Sequence, residues 1–285
     1  MSSFTSAVDG QEIATYAWRN VPSETVGVVQ IAHGLAEHAA RYDRLARALN
    51  GAGFVVHATD HRGHGRTGQD ALGDFGEAGF DGLIADVAEF GRLVAAEHPG
   101  LPVFLVAHSM GSFAAQSLLV DDAEQYAGVV LSGSTALDVL AANLAQAEGP
   151  VGLEAFNAGF EHRTGFEWLS RDESEVDLYV ADDWCGFETP PETVPMLFAA
   201  AGRLADPAVL AGIRSDLPLL LASGSDDPLA GGGQLVELLG QRYRDAGVTD
   251  VTVLVYAGAR HEIFNETNRD QVTQDVVDWL TAHAR

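Results

Sequence analysis

The sequence predicts an α/β fold: a mostly parallel sheet with helices on both faces, interrupted by an inserted helical cap. Three observations carry that expectation. Short continuous apolar runs alternate with stretches of helical periodicity as far as Ser132, the pattern of strands buried on both faces. The alternation then stops and resumes near Leu217, leaving about 80 residues, too many for an ordinary loop. Finally, Ser109 stands where a buried strand runs directly into a helix.

In chain order, β-like runs at 4–8 and 12–18 flank Asp9-Gly10, the signal of a tight hairpin. A strand at 26–32 precedes a helix at 38–49, ended by Gly51. A strand at 54–59 precedes a helix at 80–97, stopped by Pro99. The run 102–107 is a strand, 111–120 a helix and 129–131 the fourth strand of this series. Residues 136–213 hold helical fragments and the stretch Thr189-Pro190-Pro191-Glu192. Beyond them come a strand at 217–222, a helix at 234–245, a strand at 251–256 and a closing helix at 272–283. The expected organisation is a core of 1–135 and 214–285, with 136–213 as a cap over the carboxyl edge of the sheet, where open α/β sheets bind ligands.

Bulk composition narrows the function. A chain of 285 residues with 47% hydrophobic content can bury one large core. Its 41 acidic residues face 16 basic ones, all arginine, for a net charge of −25. Such a surface repels phosphate backbones and anionic membranes, which excludes nucleic acid as a partner. Cys185 is single, so no intramolecular disulfide can form. The first residues lack a basic stretch followed by an apolar run, and no segment reaches the roughly 18 apolar residues of a membrane span. A cytoplasmic protein without stable membrane insertion is expected.

The chemistry centres on Ser109. A serine at a strained strand-to-helix turn has its hydroxyl pushed above the sheet edge, and the small residues Ala107 and Gly111 let that turn close. A hydroxyl needs a base, and the base needs a carboxylate to orient it. Asp226 and Asp227 both lie just past the strand at 217–222, and His261 follows the last strand, in the order serine, acid, histidine. An oxyanion needs preorganised N–H donors: the residue after the serine, Met110, and Leu35 in the loop His33-Gly34-Leu35-Ala36-Glu37-His38, where Gly34 is expected to supply an unusual backbone conformation. The pair His33 and His38, and the run Asp60-His61-Arg62-Gly63-His64, have metal-ligand chemistry. Their place in loops after strands assigns them instead to hydrogen bonding, so neither metal nor cofactor is expected.

The segments 33–38 with Arg41-Tyr42, Asp60-His61-Arg62-Gly63-His64-Gly65-Arg66 and His108-Ser109-Met110-Gly111 resemble the monoacylglycerol lipase and lysophospholipase group of α/β hydrolases, also called serine aminopeptidase-like hydrolases. Segments 166–172 and 260–266 resemble a bacterial lysophospholipase-like branch of it, and the similarity covers nearly the whole chain. The resemblance implies an α/β-hydrolase fold and a serine hydrolase that cleaves carboxylic esters through an acyl-enzyme. It selects Asp227 as the acid, because the family loop reads Gly, two variable residues, then Asp, here Gly224-Ser225-Asp226-Asp227. It also implies Leu35 and Met110 as oxyanion donors.

Residues 136–213 carry 14 acids against 3 arginines, and 8 of the chain's 23 aromatics. Those aromatics can line an acyl pocket or form the cap's own small core. The acidic balance favours a neutral or zwitterionic ester: a monoacylglycerol, a lysophospholipid, or a small alkyl or aryl ester. The rival readings are a non-catalytic ligand-binding protein of the same fold, and an amidase or thioesterase using the same three residues.

Overall fold

The computed structural model describes residues 2–146 and 152–284. Its strands are β1 (Ser3–Thr5), β2 (Glu12–Trp18), β3 (Gly27–Ala32), β4 (Phe54–Thr59), β5 (Val103–His108), β6 (Gly128–Ser132), β7 (Leu219–Gly224) and β8 (Val251–Tyr256). They form one sheet in the order β1-β2-β4-β3-β5-β6-β7-β8. β2 runs antiparallel to β1 and β4, and every other pairing is parallel.

The apolar runs are continuous because both faces are covered. Alternate residues such as Val28, Leu105, Val129 and Leu221 pack with α2 (Gly79–Glu97), α3 (Met110–Asp121) and α9 (Gln234–Asp245). Their neighbours Val29, Ile31, Val106 and Leu220 pack on the opposite face with α1 (Asp43–Gly51) and α10 (Arg269–His283). Each such side chain, fully buried, contributes about 1.5–3 kcal/mol. The order reverses at β3, which has β4 on one side and β5 on the other. That switch point sets the loop after β3 beside the loop after β5, and with it residues 33–38 beside Ser109.

Several boundaries differ from the expectation, for local reasons. The opening hairpin is not tight: β1 ends at Thr5, Ser6 N still donates to Gln11 O, and four residues cross over, with Val8 47% exposed. The strands expected at 102 and 217 begin at Val103 and Leu219, because each follows a proline that has no N–H to give. Pro102 and Pro218 still accept bonds, through their carbonyls, from Val28 N and Val129 N. The helix expected over 38–49 is divided into a 3-10 turn, Ala39–Tyr42, and α1. Ala39 N is taken by Asp60 Oδ1 at 2.9 Å, and Arg41 turns toward buried carboxylates.

Between β6 and β7 the chain builds α4 (Leu137–Gln146), α5 (Glu173–Val180), α6 (Thr193–Leu197), α7 (Ala201–Leu204) and α8 (Pro207–Leu210), with 3-10 turns at Leu153–Asn157 and Glu167–Leu169. Among the described residues no helix is long and apolar enough to cross a membrane.

Candidate active site

β5 ends at His108 and α3 starts at Met110, so Ser109 alone makes the turn, at φ 49° and ψ −120°. Only Ser109 and Ala36 among the described non-glycine residues have positive φ. A β-carbon makes that conformation costly, and it persists because strand and helix dictate both ends. Ser109 N donates to Ser132 O at 2.9 Å, tying the turn to the end of β6.

The acid loop follows β7. Asp227 is buried, whereas Asp226 is exposed and accepts from Ser225 Oγ. Asp227 Oδ2 meets His261 Nδ1 at 2.9 Å and accepts from Ser223 Oγ at 3.2 Å, while Oδ1 accepts from Leu229 N at 2.9 Å. Gly224 is required where the acid and histidine loops meet, since a β-carbon there would lie 1.9 Å from Ala259 O. Burial disfavours a charged His261. The Asp227 charge and hydrogen bond, with Glu262 and Glu37 nearby, outweigh it and raise its pKa above the ordinary 6.5. Trp168 packs against the imidazole with ring centroids 4.9 Å apart.

On the other side of Ser109 lies the loop after β3. Gly34 does not supply the unusual backbone expected of it; Ala36 does, at φ 54°. Gly34 is needed for approach, because a β-carbon would sit 3.1 Å from Ser109 Cβ and 2.9 Å from Glu37 Oε1. Neither Leu35 N nor Met110 N donates to a protein acceptor among the described residues, so both N–H groups are free to serve a ligand. The Ala36 carbonyl is held by Tyr179 Oη–H at 2.8 Å and Gly186 N–H at 3.0 Å, both from the β6–β7 insertion.

A buried ion cluster, absent from the sequence reading, supports this loop. Glu37 accepts from Gly34 N (2.6 Å), Tyr42 Oη (2.8 Å) and Arg41 (2.7 Å), and Arg41 grips Glu262 with two nitrogens, at 2.5 and 2.7 Å. Burial pushes Glu262 up, but Arg41 prevails and holds it down to about 2. Glu37 moves the other way: burial dominates over Arg41, with the Glu262 charge adding to the rise. The signal was present in the sequence as charged residues clustered inside apolar-flanked motifs. His33 and His64 each meet a backbone carbonyl through Nδ1, at 2.8 and 2.7 Å, and their Nε2 atoms accept from His61 N and Ala36 N. Burial lowers His33 well below its ordinary value and His64 to about 4, so both rings are neutral struts. His108, lowered to about 3 by burial and the His261 charge, meets Ser132 Oγ at 3.1 Å.

Ser109, His261, Leu35 and Met110 line one cavity. The floor is the sheet edge, with Glu37 and Glu262 at one side. Most of the wall is apolar and comes from the insertion, including Leu140, Phe156, Leu197 and Phe198. Of the eight aromatics there, Phe156, Trp168, Tyr179 and Phe198 face the cavity, and the rest pack elsewhere.

Known proteins share this arrangement of chain. The monoacylglycerol lipase of Mycolicibacterium smegmatis is 31% identical over 98% of this chain and 96% of its own length. The human monoglyceride lipase is 30% identical over 90% of this chain and 82% of its own. The crystal structure of a thermostable carboxyl esterase from Bacillus coagulans superposes with a TM-score of 0.86 at 26% identity, covering 99% of this chain and 98% of that one. Residues 23–268 match the family described as serine aminopeptidase, S33. With that match over most of its length, the chain belongs to the serine aminopeptidase S33 family of α/β hydrolases.

Proposed function

We propose that this hydrolase cleaves neutral or zwitterionic carboxylic esters with Ser109 as nucleophile, His261 as base and Asp227 as the acid that orients the base. The reaction begins when Ser109 Oγ bonds to the ester carbonyl carbon and passes its proton to His261. The oxyanion meets the N–H groups of Leu35 and Met110. Collapse breaks the bond to the alcohol oxygen, which leaves with the proton from His261. Water then attacks the acyl-enzyme by the same route and releases the acid, restoring Ser109.

The observation that carries the reading is a single cavity lined by a strained serine, a histidine bonded to a buried aspartate, and an apolar wall. The lipase and esterase relatives support ester chemistry. The acidic balance of residues 136–213, 14 acids against 3 arginines, disfavours anionic substrates. Residues 136–213 are proposed as the cap, on a core of 1–135 and 214–285.

Ser109→Ala tests the proposal. Turnover of a p-nitrophenyl ester should fall about a millionfold, and fluorophosphonate labelling should vanish, with the circular dichroism spectrum unchanged. Normal turnover by that variant ends the proposal. A wild-type protein inert to esters but active on amides or thioesters moves the same residues to another bond. One inert to all three, yet stabilised by a ligand, is a binding protein.

A further inference from the structure

We propose that His38, Asp182 and Cys185 form a binding site for a borderline-soft divalent cation such as Zn2+, clasping the turn after α5 onto the loop after β3. An imidazole nitrogen, a carboxylate oxygen and the sulfur lie within 4.8 Å of one another. Thiolate, imidazole and carboxylate together suit Zn2+, whereas Mg2+ and Ca2+ take oxygen ligands. Asp182 and Cys185 share one turn, closed by Cys185 N donating to Asp182 O at 2.9 Å, so the backbone already holds this pair together. Trp184 N donates to Asp182 Oδ1 at 2.9 Å, orienting the carboxylate. His38 arrives from 144 residues away and bonds through Nε2 to Asp182 Oδ2 at 2.9 Å.

Two further observations favour a ligand here. His38 Nδ1 is buried without a hydrogen-bond partner among the described residues, so the bond to Asp182 is the one hydrogen bond described for this ring. The Asp182 side chain is 37% exposed beside an open surface depression that it lines with Ala181, Asp183 and Trp184, which gives an ion a route in. The sequence expectation of no metal at His38 rests on its place in a loop after a strand, which assigns it to hydrogen bonding; Asp182 and Cys185, so far along the chain, do not enter that expectation.

Coordination would move the loop. Ligands 2.0–2.3 Å from a tetrahedral ion stand about 3.3–3.8 Å apart, so Nε2 and Oδ2 would separate by about half an ångström. That shift is delivered three residues after Leu35, and through the same turn whose Gly186 N–H holds Ala36 O. Occupancy should therefore slow ester turnover; this consequence rests on the proposed function, whereas the site itself does not.

The test is a titration of chelator-stripped protein with Co2+. A thiolate-to-cobalt absorption band in the near ultraviolet should saturate at one ion per chain, and Zn2+ should displace it. Cys185→Ser should lose the band while its metal-free form keeps the wild-type turnover of p-nitrophenyl butyrate. Asp182→Asn should weaken Zn2+ binding at least tenfold. Saturating Zn2+ should lower wild-type kcat/KM about tenfold and spare Cys185→Ser. The described residues hold a second cluster, His57, Glu97 and His98, in which Glu97 is paired with Arg19 at 2.5 Å and the imidazoles bond each other at 3.0 Å. His98→Gln is therefore the control and should leave the band unchanged. No thiolate band, or Zn2+ binding lost in His98→Gln and kept in Cys185→Ser, overturns the site. If the protein proved inert to esters, the reading of Ser109 would fail while the cobalt titration still decided the metal site.

Discussion

The insertion between β6 and β7 has two unlike parts. The stretch from Glu167 to Gly186 is tied to the core by directional bonds. Trp168 O and Leu169 O accept from His261 N and Glu262 N at 3.3 and 2.8 Å, and Arg260 donates to Glu167 O and Ser170 O at 2.6 and 3.0 Å. Arg171 pairs with buried Glu266 at 2.8 Å, and Tyr179 holds Ala36. Helices α4 and α6, with the flanking Phe156 and Phe198, present apolar side chains to the cavity. The ties of this part to the core are fewer: Asp138 of α4 with Arg242 at 2.6 Å and, on α7, the exposed pair Arg203–Asp121, which contributes little. Hydrogen bonds fix angles, whereas apolar contacts fix only volume. Under the proposed function, the tied part holds the reacting groups and the apolar part sets which acyl group fits.

Breaking the chemical side should have the largest effect. Asp227→Asn should cut kcat about ten-thousandfold, because the imidazole loses both its tautomer and its charge partner. Asp226→Asn, altering an exposed side chain, should change it less than twofold; the reverse ranking would show that the acid was assigned one residue off.

The pH profile comes next. A raised His261 pKa places the midpoint of the acid limb of kcat/KM above 6.5, with activity falling tenfold for each further pH unit below it. Stability runs the opposite way. The contribution of protonated His261 to the folded state is full below pH 6.5 and is lost as pH rises through the folded value. An acid-limb midpoint at or below 6.5 would contradict the Asp227 partnership.

Tyr179→Phe sharpens the contrast within the insertion. Removing the donor to Ala36 O should loosen the Leu35 N–H and lower kcat about tenfold with KM nearly constant, since oxyanion donors act in the transition state. A raised KM with constant kcat would assign Tyr179 to the pocket wall alone.

The smallest effect belongs to the apolar part. Across p-nitrophenyl esters, kcat/KM should rise by up to about fourfold per CH2 and fall once the cavity is full. Phe198→Ala should move that maximum to longer chains and change acetate turnover less than twofold. A flat profile from acetate to palmitate would remove the acyl-pocket role of these helices.

Much of this was legible before any coordinates. Strands buried on both faces write their apolar runs directly into the chain, and β4, α9 and β8 fall where periodicity put them. The strand-to-helix turn at Ser109 is legible because strand, serine and helix are contiguous, and the position of His261 because it follows the last strand. The choice of Asp227 over Asp226 came from the family loop pattern, and burial of one beside exposure of the other gives it a physical basis. What only the tertiary structure decided are meetings between distant residues. The bond from Tyr179 to Ala36, the grip of Arg41 on Glu262, and the approach of His38 to Asp182 span 143, 221 and 144 residues. Periodicity reports whether a side chain is buried. It carries no information on which buried group faces which, because that follows from strand order and from the path of the insertion over the sheet edge.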